Sequence, residues 1–360
     1  MSKIKIETLS PVHVGNGVFL QKGNDFIEIS DGNDSDIYVL NIDKLGAVIG
    51  TDATSISKWT TAIQNGEAEE FIKSRIHKDY VRYSKRHITN FADFSKNNGT
   101  LKECIHDGRG LPYIPGTSIK GAIRTALVAA LASEQIVNEL ESKPNQADWK
   151  TVIYGMEKKL LGDMGNSVFR YLCTGDIYFE KDVEIALRQI NLNITQRDRL
   201  IDTTKQQVVE AIAAEQISEF RLNINQKFYE KLNKSNLQDL NALFSLINHH
   251  TWSLVEYEIE NWSEKGDDAI EYIDGMDAIK NVCKSCNPGE CVLRLGQGVG
   301  WRFITGAWLE QIDNDYFYDK IVPVCRPKSH IYQDYEFPKS RRIGDAMDLF
   351  GFVKLTVLSE

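Results

Sequence analysis

Apolar and polar residues alternate at the start of the chain in the pattern of a β-strand. Ile4 and Ile6 are separated by a lysine, and an apolar-rich run over residues 26–29 is suited to return antiparallel to them. Gly15 and Gly17 indicate a turn between the two runs. The pattern predicts that the chain opens with an antiparallel pair of strands.

Further along, runs with helical spacing are interleaved with runs that alternate like strands. Helices are predicted for residues 204–216, 235–255 and 267–282, with one or two more over 41–76. Residues 217–224 alternate like a strand, and residues 77–110 are predicted to be rich in loops. This mixture predicts an α+β fold, and 360 residues are enough for two domains.

The clearest single element is a helix that begins after a turn at residues 113–116. Apolar residues recur at three-and-four spacing from Ile119 to Leu131, so one face of this helix is predicted to be core. Ser118 offers a capping hydroxyl, and Lys120 and Arg124 share one flank in the first two turns. Backbone N–H groups are unpaired at a helix start and the helix dipole is positive there, so the site suits an anion.

This helix start allows more than one interpretation. A phosphate loop of an NTPase needs lysine and Ser/Thr directly after its second glycine, but Ala122 and Ile123 follow Gly121. A site for RNA phosphates needs only the helix start, glycines and flanking cations, all of which are present. A buried helix that merely exposes its two cations to solvent fits the residues equally well.

A second motif lies near residue 298, where Gly296, Gly298 and Gly300 alternate with other residues after a short predicted strand. Glycine permits positive φ and lets phosphates or sugars approach the main chain. Trp301 follows and is available either for stacking on a base or for core packing. The dinucleotide fingerprint is not matched, because the next glycine is Gly306.

The composition places the chain among globular proteins, with 42% hydrophobic and 26% charged residues. No apolar stretch is long enough for a membrane span, so a cytoplasmic location without membrane contact is expected. The net charge of −9 does not attract nucleic acid, so any RNA binding must be local. Arg341 and Arg342 belong to one of the basic clusters that offer such local charge.

The cysteines are few for this length, and a disulfide framework is not expected. Cys283 and Cys286 have the spacing of a zinc knuckle and Cys291 is near, but a fourth ligand is missing locally. The sequence therefore predicts free thiols, no metal and no cofactor.

Taken in order, the motifs LSPVHVGNG, YIPGTSIKGAIRTAL, LGQGVGW, PKSRRI and GFVKLTV resemble the RAMP superfamily of type III CRISPR effector complexes. Within that superfamily the chain looks most like the family of the fifth Csm subunit, which lies near the 3′ end of the guide RNA (crRNA) in type III-A complexes. The pattern IPG-x-S-x-KGA-x-R is the most specific part. Residues 130–290 carry little resemblance.

The resemblance implies a fold of two ferredoxin-like, RRM-type units with helical insertions, predicted at residues 1–185 and 186–360, with the glycine-rich loop in the second unit. It also implies where RNA is bound, and the residues themselves add Trp301, Arg341 and Arg342. The expected RNA-binding residues are His13, Gly15, Gly116, Ser118, Lys120, Arg124, Gly296, Gly298, Gly300, Trp301, Arg341 and Arg342.

The implied function is that of a non-catalytic crRNA-binding subunit that acts in crRNA 3′-end capping or maturation and in complex assembly. Its expected partners are crRNA, other Csm RAMP subunits, the small helical subunit and a host trimming nuclease. The alternative is a metal-independent RAMP endoribonuclease, for which His13 and then His87 are the candidate general acid or base. Neither histidine has a recognisable catalytic partner in the sequence.

Overall fold

The protein is seen here in a computed structural model. The structure describes residues 1–32, 34–96, 98–133, 149–163, 165–196, 199–325 and 334–359. Two large β-sheets, a separate pair of short strands and the packed helices make up this part of the chain. Within it, no helix combines the length and apolar character that crossing a membrane requires.

The first sheet has five strands, each antiparallel to its neighbours. They are β1 (Ser2–Thr8), β8 (Leu172–Thr174), β12 (Ile217–Ile224), β13 (Glu290–Arg294) and β15 (Phe352–Ser359). Their order across the sheet is β13, β15, β1, β12, β8. The first strand therefore lies at the centre, although its neighbours β12 and β15 come from the second half of the chain.

Two helices complete a ferredoxin-like unit around this sheet. Helix α5 (Gly116–Leu131) connects β1 to β8, and helix α8 (Leu240–Ser263) connects β12 to the last strands. Strands β1 and β8 are parallel with β12 between them, and strands β12 and β15 are parallel with β1 between them, which is the split βαβ arrangement. Strand β13, which precedes β15 in the chain, is added at the edge of the sheet, antiparallel to β15. Asp239 begins α8 by accepting a hydrogen bond from Ala242 N at 2.8 Å.

The second sheet has eight strands. They are β2 (Gly15–Gln21), β3 (Phe26–Asp31), β4 (Asp34–Leu40), β5 (Ser84–Asn90), β6 (Thr100–Cys104), β10 (Glu184–Asn193), β11 (Ile201–Ile212) and β14 (Ser340–Gly344). The order is β2, β6, β11, β10, β5, β4, β3, with β14 paired to the second half of β10. A separate pair is formed by β7 (Tyr113–Ile114) and β9 (Ile177–Tyr178).

The other helices cover the sheets. They are α1 (Ile42–Ile49), α2 (Ala53–Asn65), α3 (Ala68–Ile76), α4 (Tyr80–Tyr83), α6 (Trp149–Leu161), α7 (Gln226–Leu232), α9 (Ile270–Ser285), α10 (Trp301–Thr305) and α11 (Trp308–Ile312). Shorter turns of 3₁₀, α or π type lie at Phe94–Lys96, Val168–Tyr171, Asp267–Ala269, Asn314–Tyr316, Phe317–Ile321 and Val322–Cys325. The largest core cluster joins the five-stranded sheet to α5 and α8.

The mixed α+β fold is confirmed, and so are the helix after residue 116, the strand at 217–224 and the helices near 235–255 and 267–282. The predicted helix at 204–216 is wrong, because β11 occupies residues 201–212. Its residues 208–212 are all buried and, apart from Glu210, apolar, so this run lacks the alternation that distinguishes a strand from a helix.

Two further local predictions are also wrong. Residues 77–110 contain strands β5 and β6 as well as loops. The run at 26–29 pairs with β4 rather than with β1. The division of the chain at residues 185 and 186 stays a prediction, and each sheet takes strands from both sides of it.

Candidate nucleic-acid interface

Three segments that are far apart in the sequence meet at the glycine-rich loop. Gln297 N donates to His13 O at 2.8 Å, which joins the loop to the turn after β1. Leu295 N donates to Gly351 O, and Gly351 N donates to Pro11 O, both at 2.8 Å. The N-terminal turn, the glycine loop and the start of β15 therefore form one continuous backbone surface.

The first two loop glycines are required by this close packing. Gly296 has φ of 90°, and a Cβ there would lie 2.6 Å from His13 O. Gly298 has φ of 88°, and a Cβ there would lie 3.0 Å from Gln189 Nε2. Around Gly300 a Cβ would meet nothing within 4 Å, and Gln297 is exposed. The inner side of the loop is thus filled by protein, and its outer side is open.

His13 contacts the inner side of the loop through its backbone oxygen. Its side chain is 1% exposed, and its Nδ1 donates to Glu210 O at 2.6 Å. Burial lowers the pKa of His13 below its ordinary value. A Cβ on Gly15 would lie 2.9 Å from His13 Nε2, so the first residue of β2 packs directly against the ring. His13 lies within the predicted region, but as a buried group.

The two neighbouring arginines of β14 have different surroundings. Arg341 is 6% exposed, and it donates to Glu258 from Nε at 2.6 Å and from Nη2 at 2.9 Å. Arg342 is half-buried, donates to Lys205 O at 2.9 Å, and lies beside Gly298. Only Arg342 is positioned next to the glycine loop with part of its side chain exposed.

Trp301 packs inward. Its ring centroid lies 5.3 Å from that of Phe317 and 5.1 Å from that of Phe337. The side chain is half-buried among these rings, so core packing is the interpretation that the contacts favour.

The start of helix α5 is close-packed and already faces a carboxylate. Gly116 N donates to Asp176 Oδ1 at 2.8 Å, and Ser118 N donates to Pro115 O at 2.8 Å. A Cβ on Gly116 would lie 2.5 Å from Thr174 O, so only glycine fits there. The anion expected at this helix start is therefore supplied, at Gly116, by the chain itself.

Lys120 and Arg124 also have partners within the chain. Lys120 Nζ donates to Leu172 O at 2.9 Å and lies 5.9 Å from the ring centroid of Phe169. Arg124 forms an ion pair with Glu157, and burial raises the pKa of that carboxyl. The two cations line a cavity of about 290 Å³ that also includes Thr117, Gly121, Lys158 and Asp163.

The two parts of the predicted site are joined through one short helix. Helix α10 starts directly after Gly300 and packs on α5, where Thr125 Oγ1 donates to Ile304 O at 3.1 Å. Lys120 and Arg124 on α5 contact residues between 157 and 172, whereas the loop glycines lie against His13, Gln189 and Arg342. The residues that were predicted to bind RNA thus lie in two neighbouring groups.

Sequence reasoning did not identify Gln189 and Glu210 as supports of the loop. Gln189 is fully buried on β10, and Glu210 is fully buried on β11. A buried polar residue in a strand is an unusual feature that could have drawn attention to both. Their proximity to His13 and Gly298 depends on sheet pairing that the sequence does not show.

The comparisons with known proteins agree with this architecture. The family model of the RAMP superfamily matches residues 5–300, and the chain belongs to that superfamily. A protein of Enterococcus italicus named CRISPR system Cms protein Csm5 is 28% identical over 163 residues. That match spans 38% of this chain and 46% of the relative, so less than half of the relative's length is covered.

Two solved structures share the fold over nearly the whole chain. One is a chain of the Csm–crRNA–target RNA ternary complex of a type III-A CRISPR-Cas system, with a TM-score of 0.70, 19% identity, and coverage of 99% of this chain and 100% of that chain. The other is T. onnurineus Csm5, with a TM-score of 0.66, 19% identity, and coverage of 98% and 100%. The ferredoxin-like RAMP fold predicted from the sequence is confirmed.

Proposed function

We propose that this chain is a crRNA-binding subunit of a type III-A CRISPR effector complex. In this role it binds the crRNA backbone near its 3′ end, contributes to capping or maturation of that end, and helps to assemble the complex. Its partners are crRNA, other Csm RAMP subunits and the small helical subunit. A host trimming nuclease would be a further partner at the 3′ end.

Sequence and fold similarity support the proposal together. The relative that matches 38% of this chain is named as a Csm5 protein. A chain with the same fold over 99% of this one is part of a complex with crRNA and target RNA. Both point to the same kind of assembly.

The observation that carries the proposal is the open outer face of the glycine loop. Gln297 is exposed there, Gly300 borders open space, and Arg342 lies at the side. RNA phosphates and 2′-hydroxyls can approach backbone groups at such a surface without a side chain in the way. Because the total charge is −9, nearby cations must supply the attraction.

Salt-dependent binding of a crRNA-length single strand tests the proposal. The double variant Lys120→Ala with Arg124→Ala should weaken binding and reduce the slope of log K against log salt by about 1.4, since each phosphate contact contributes about 0.7. Arg342→Met should reduce it by about 0.7. The control, Lys58→Ala with Arg82→Ala, removes two exposed cations from the helical insertion and should leave the slope unchanged. Unchanged binding by both site variants at matched salt contradicts the proposed surface.

The endoribonuclease alternative needs a histidine that reaches the 2′-OH of bound RNA. His13 is 1% exposed, and Nδ1 is engaged with Glu210 O. His87 lies on β5, and its Nε2 is 2.9 Å from Oδ1 of Asp36 on the neighbouring strand β4. Neither arrangement favours cleavage, so we propose a non-catalytic role.

A further inference from the structure

A group of carboxylates surrounds one histidine where strands β6, β10 and β11 come together. Glu210 is fully buried, and Glu184 is 2% exposed. Glu103 and His106 are less enclosed, with side chains that are 16% and 10% exposed. Nε2 or Nδ1 of His106 and one carboxylate oxygen each of Glu103 and Glu210 all lie within 4.8 Å of one another. Arg86 is the nearest cation, with contacts to Glu210 and Glu103.

The hydrogen bonds of His106 leave one nitrogen aimed at two carboxylates. Nδ1 lies 2.9 Å from the backbone oxygen of Cys104, which can only accept, so Nδ1 carries a hydrogen. Nε2 lies 2.8 Å from Glu184 Oε1 and 3.8 Å from Glu210 Oε1. In the neutral ring its lone pair faces two anionic oxygens, and this contact is favourable only if a cation or a proton lies between them.

A second observation at the same place is an oxygen without a partner. Glu184 Oε2 is buried and has no hydrogen-bond partner among the residues that the structure describes. A buried carboxylate oxygen that lacks a donor is expensive. Since Oε1 of the same carboxylate already contacts His106, the unpartnered atom belongs to this cluster.

The formal charges are also out of balance. Three carboxylates and Arg86 sum to −2 in a largely buried place, and a protonated His106 would reduce this only to −1. A divalent cation beside a neutral His106 would bring the sum to zero.

We propose that His106 Nε2 and the carboxylates of Glu184, Glu210 and Glu103 bind one divalent transition-metal ion of the Zn²⁺ or Mn²⁺ type. Imidazole and carboxylate are ligands of these ions. A metal-bound histidine usually donates its other nitrogen to a carboxylate, a backbone carbonyl or water, and His106 donates to the carbonyl of Cys104. Donors at about 2.1 Å from an ion lie up to about 4.2 Å apart, which spans the distances of 2.8 and 3.8 Å around Nε2.

Arg86 is compatible with an ion at this place. It contacts Glu210 Oε1 from Nε at 2.9 Å and Glu210 Oε2 from Nη2 at 3.1 Å. Cys104 N also donates to Glu210 Oε2 at 2.8 Å, so this oxygen is held in any case and Oε1 is the atom that turns to the ion. The partly exposed side chains of Glu103 and His106 mark the side from which the ion enters.

Metal content of the full chain tests the proposal without RNA. The protein is stripped with a chelator, dialysed against ZnCl₂, MnCl₂ or MgCl₂ separately, and analysed by plasma mass spectrometry. One Zn²⁺ or Mn²⁺ per chain is expected, with weaker retention of Mg²⁺. Glu184→Gln and His106→Gln should each lower the affinity at least about tenfold. His87→Gln, which alters a histidine of the same sheet, should keep full binding.

Two results would overturn the proposal. One is a wild-type chain that retains neither Zn²⁺ nor Mn²⁺, which would mean that a proton alone joins His106 to Glu184. The other is binding that is lost in Cys286→Ser and kept in Glu184→Gln, which would move the ion to the cysteines. If a variant does not fold, the absorption spectrum of Co²⁺ bound to the wild-type chain identifies the ligands. A spectrum typical of nitrogen and oxygen ligands supports the proposed site, whereas a thiolate charge-transfer band refutes it.

Discussion

Replacing Arg341 by methionine removes the main partner of a carboxylate in the core. Glu258 is 1% exposed and accepts from Arg341 at 2.6 and 2.9 Å. Breaking a buried ion pair on one side costs about 3–5 kcal/mol, because the remaining charge stays buried. Tyr272 OH remains at 2.7 Å and Arg302 Nε at 3.5 Å, so we expect the lower end, about 3 kcal/mol.

Urea unfolding measures this loss, and tryptophan fluorescence is a suitable signal because the Arg341 guanidinium lies 5.4 Å from the Trp262 ring. Arg342→Met is the matched control one residue further on. It removes a single hydrogen bond to a backbone oxygen, and we expect a loss of about 1 kcal/mol. RNA binding should weaken in Arg342→Met and stay unchanged in Arg341→Met, since only the Arg342 variant removes a cation from the proposed surface.

The pH dependence of the same variant gives a second readout. Burial alone would raise the pKa of Glu258, but Arg341 outweighs it and holds this pKa below the ordinary 4.5. Glu258 therefore stabilises the fold above about pH 4.5, and the contribution is lost as the pH falls through the lower folded-state pKa. Arg341→Met should lose this acid-labile part. Equal unfolding free energies for the Arg341 and Arg342 variants, or a flatter salt slope of RNA binding for Arg341→Met, would refute the reasoning.

Two further predictions concern backbone strain and a half-buried histidine. Gly351→Ala places a Cβ 2.1 Å from Leu295 O at φ of 85°, whereas the Cβ of Gly17→Ala, at the same φ, meets nothing within 4 Å. Urea unfolding should therefore show a loss of unfolding free energy of about 1–2 kcal/mol for Gly17→Ala and a clearly larger loss for Gly351→Ala. Similar losses in the two variants would contradict the packing described for the loop. Burial, and then the nearby His249, lower the pKa of His250 to about 4. As the pH falls, the unfolded chain is therefore protonated at this residue before the folded chain, and the free energy of unfolding should decrease from about pH 6.5 to about pH 4. An equally steep decrease in His250→Gln would contradict this.

The helix after residue 116 was predictable because its signals are local. A turn and a run of apolar residues at helical spacing lie within residues 113–131, and no proline follows Pro115 in this segment. Strand β11 was not predictable in this way, because its residues 208–212 are buried on both faces and show no strand-like alternation. Strands β5 and β6 were missed because their pairing partners, β4 and β10 for β5 and β2 and β11 for β6, all lie in other parts of the chain.

The candidate site shows the same division between local and distant information. The glycines at 296 and 298 were identifiable from the sequence, since their spacing indicates a special backbone. That the loop rests on His13 was not, because the contact joins two segments almost three hundred residues apart in the chain. The partners of Lys120 and Arg124 were hidden for the same reason.

Local sequence information is sufficient for three features of this protein: the helix start at residue 116, the positive-φ loop near residue 298, and the order of motifs that marks the RAMP superfamily. Which charged side chains are available for binding depends instead on contacts between distant segments. Arg341 and Arg342 are adjacent in β14, where successive side chains point to opposite faces, so one is buried against Glu258 and the other reaches the loop. Which face meets the core depends on the pairing of β14 with β10, and no local pattern contains that information.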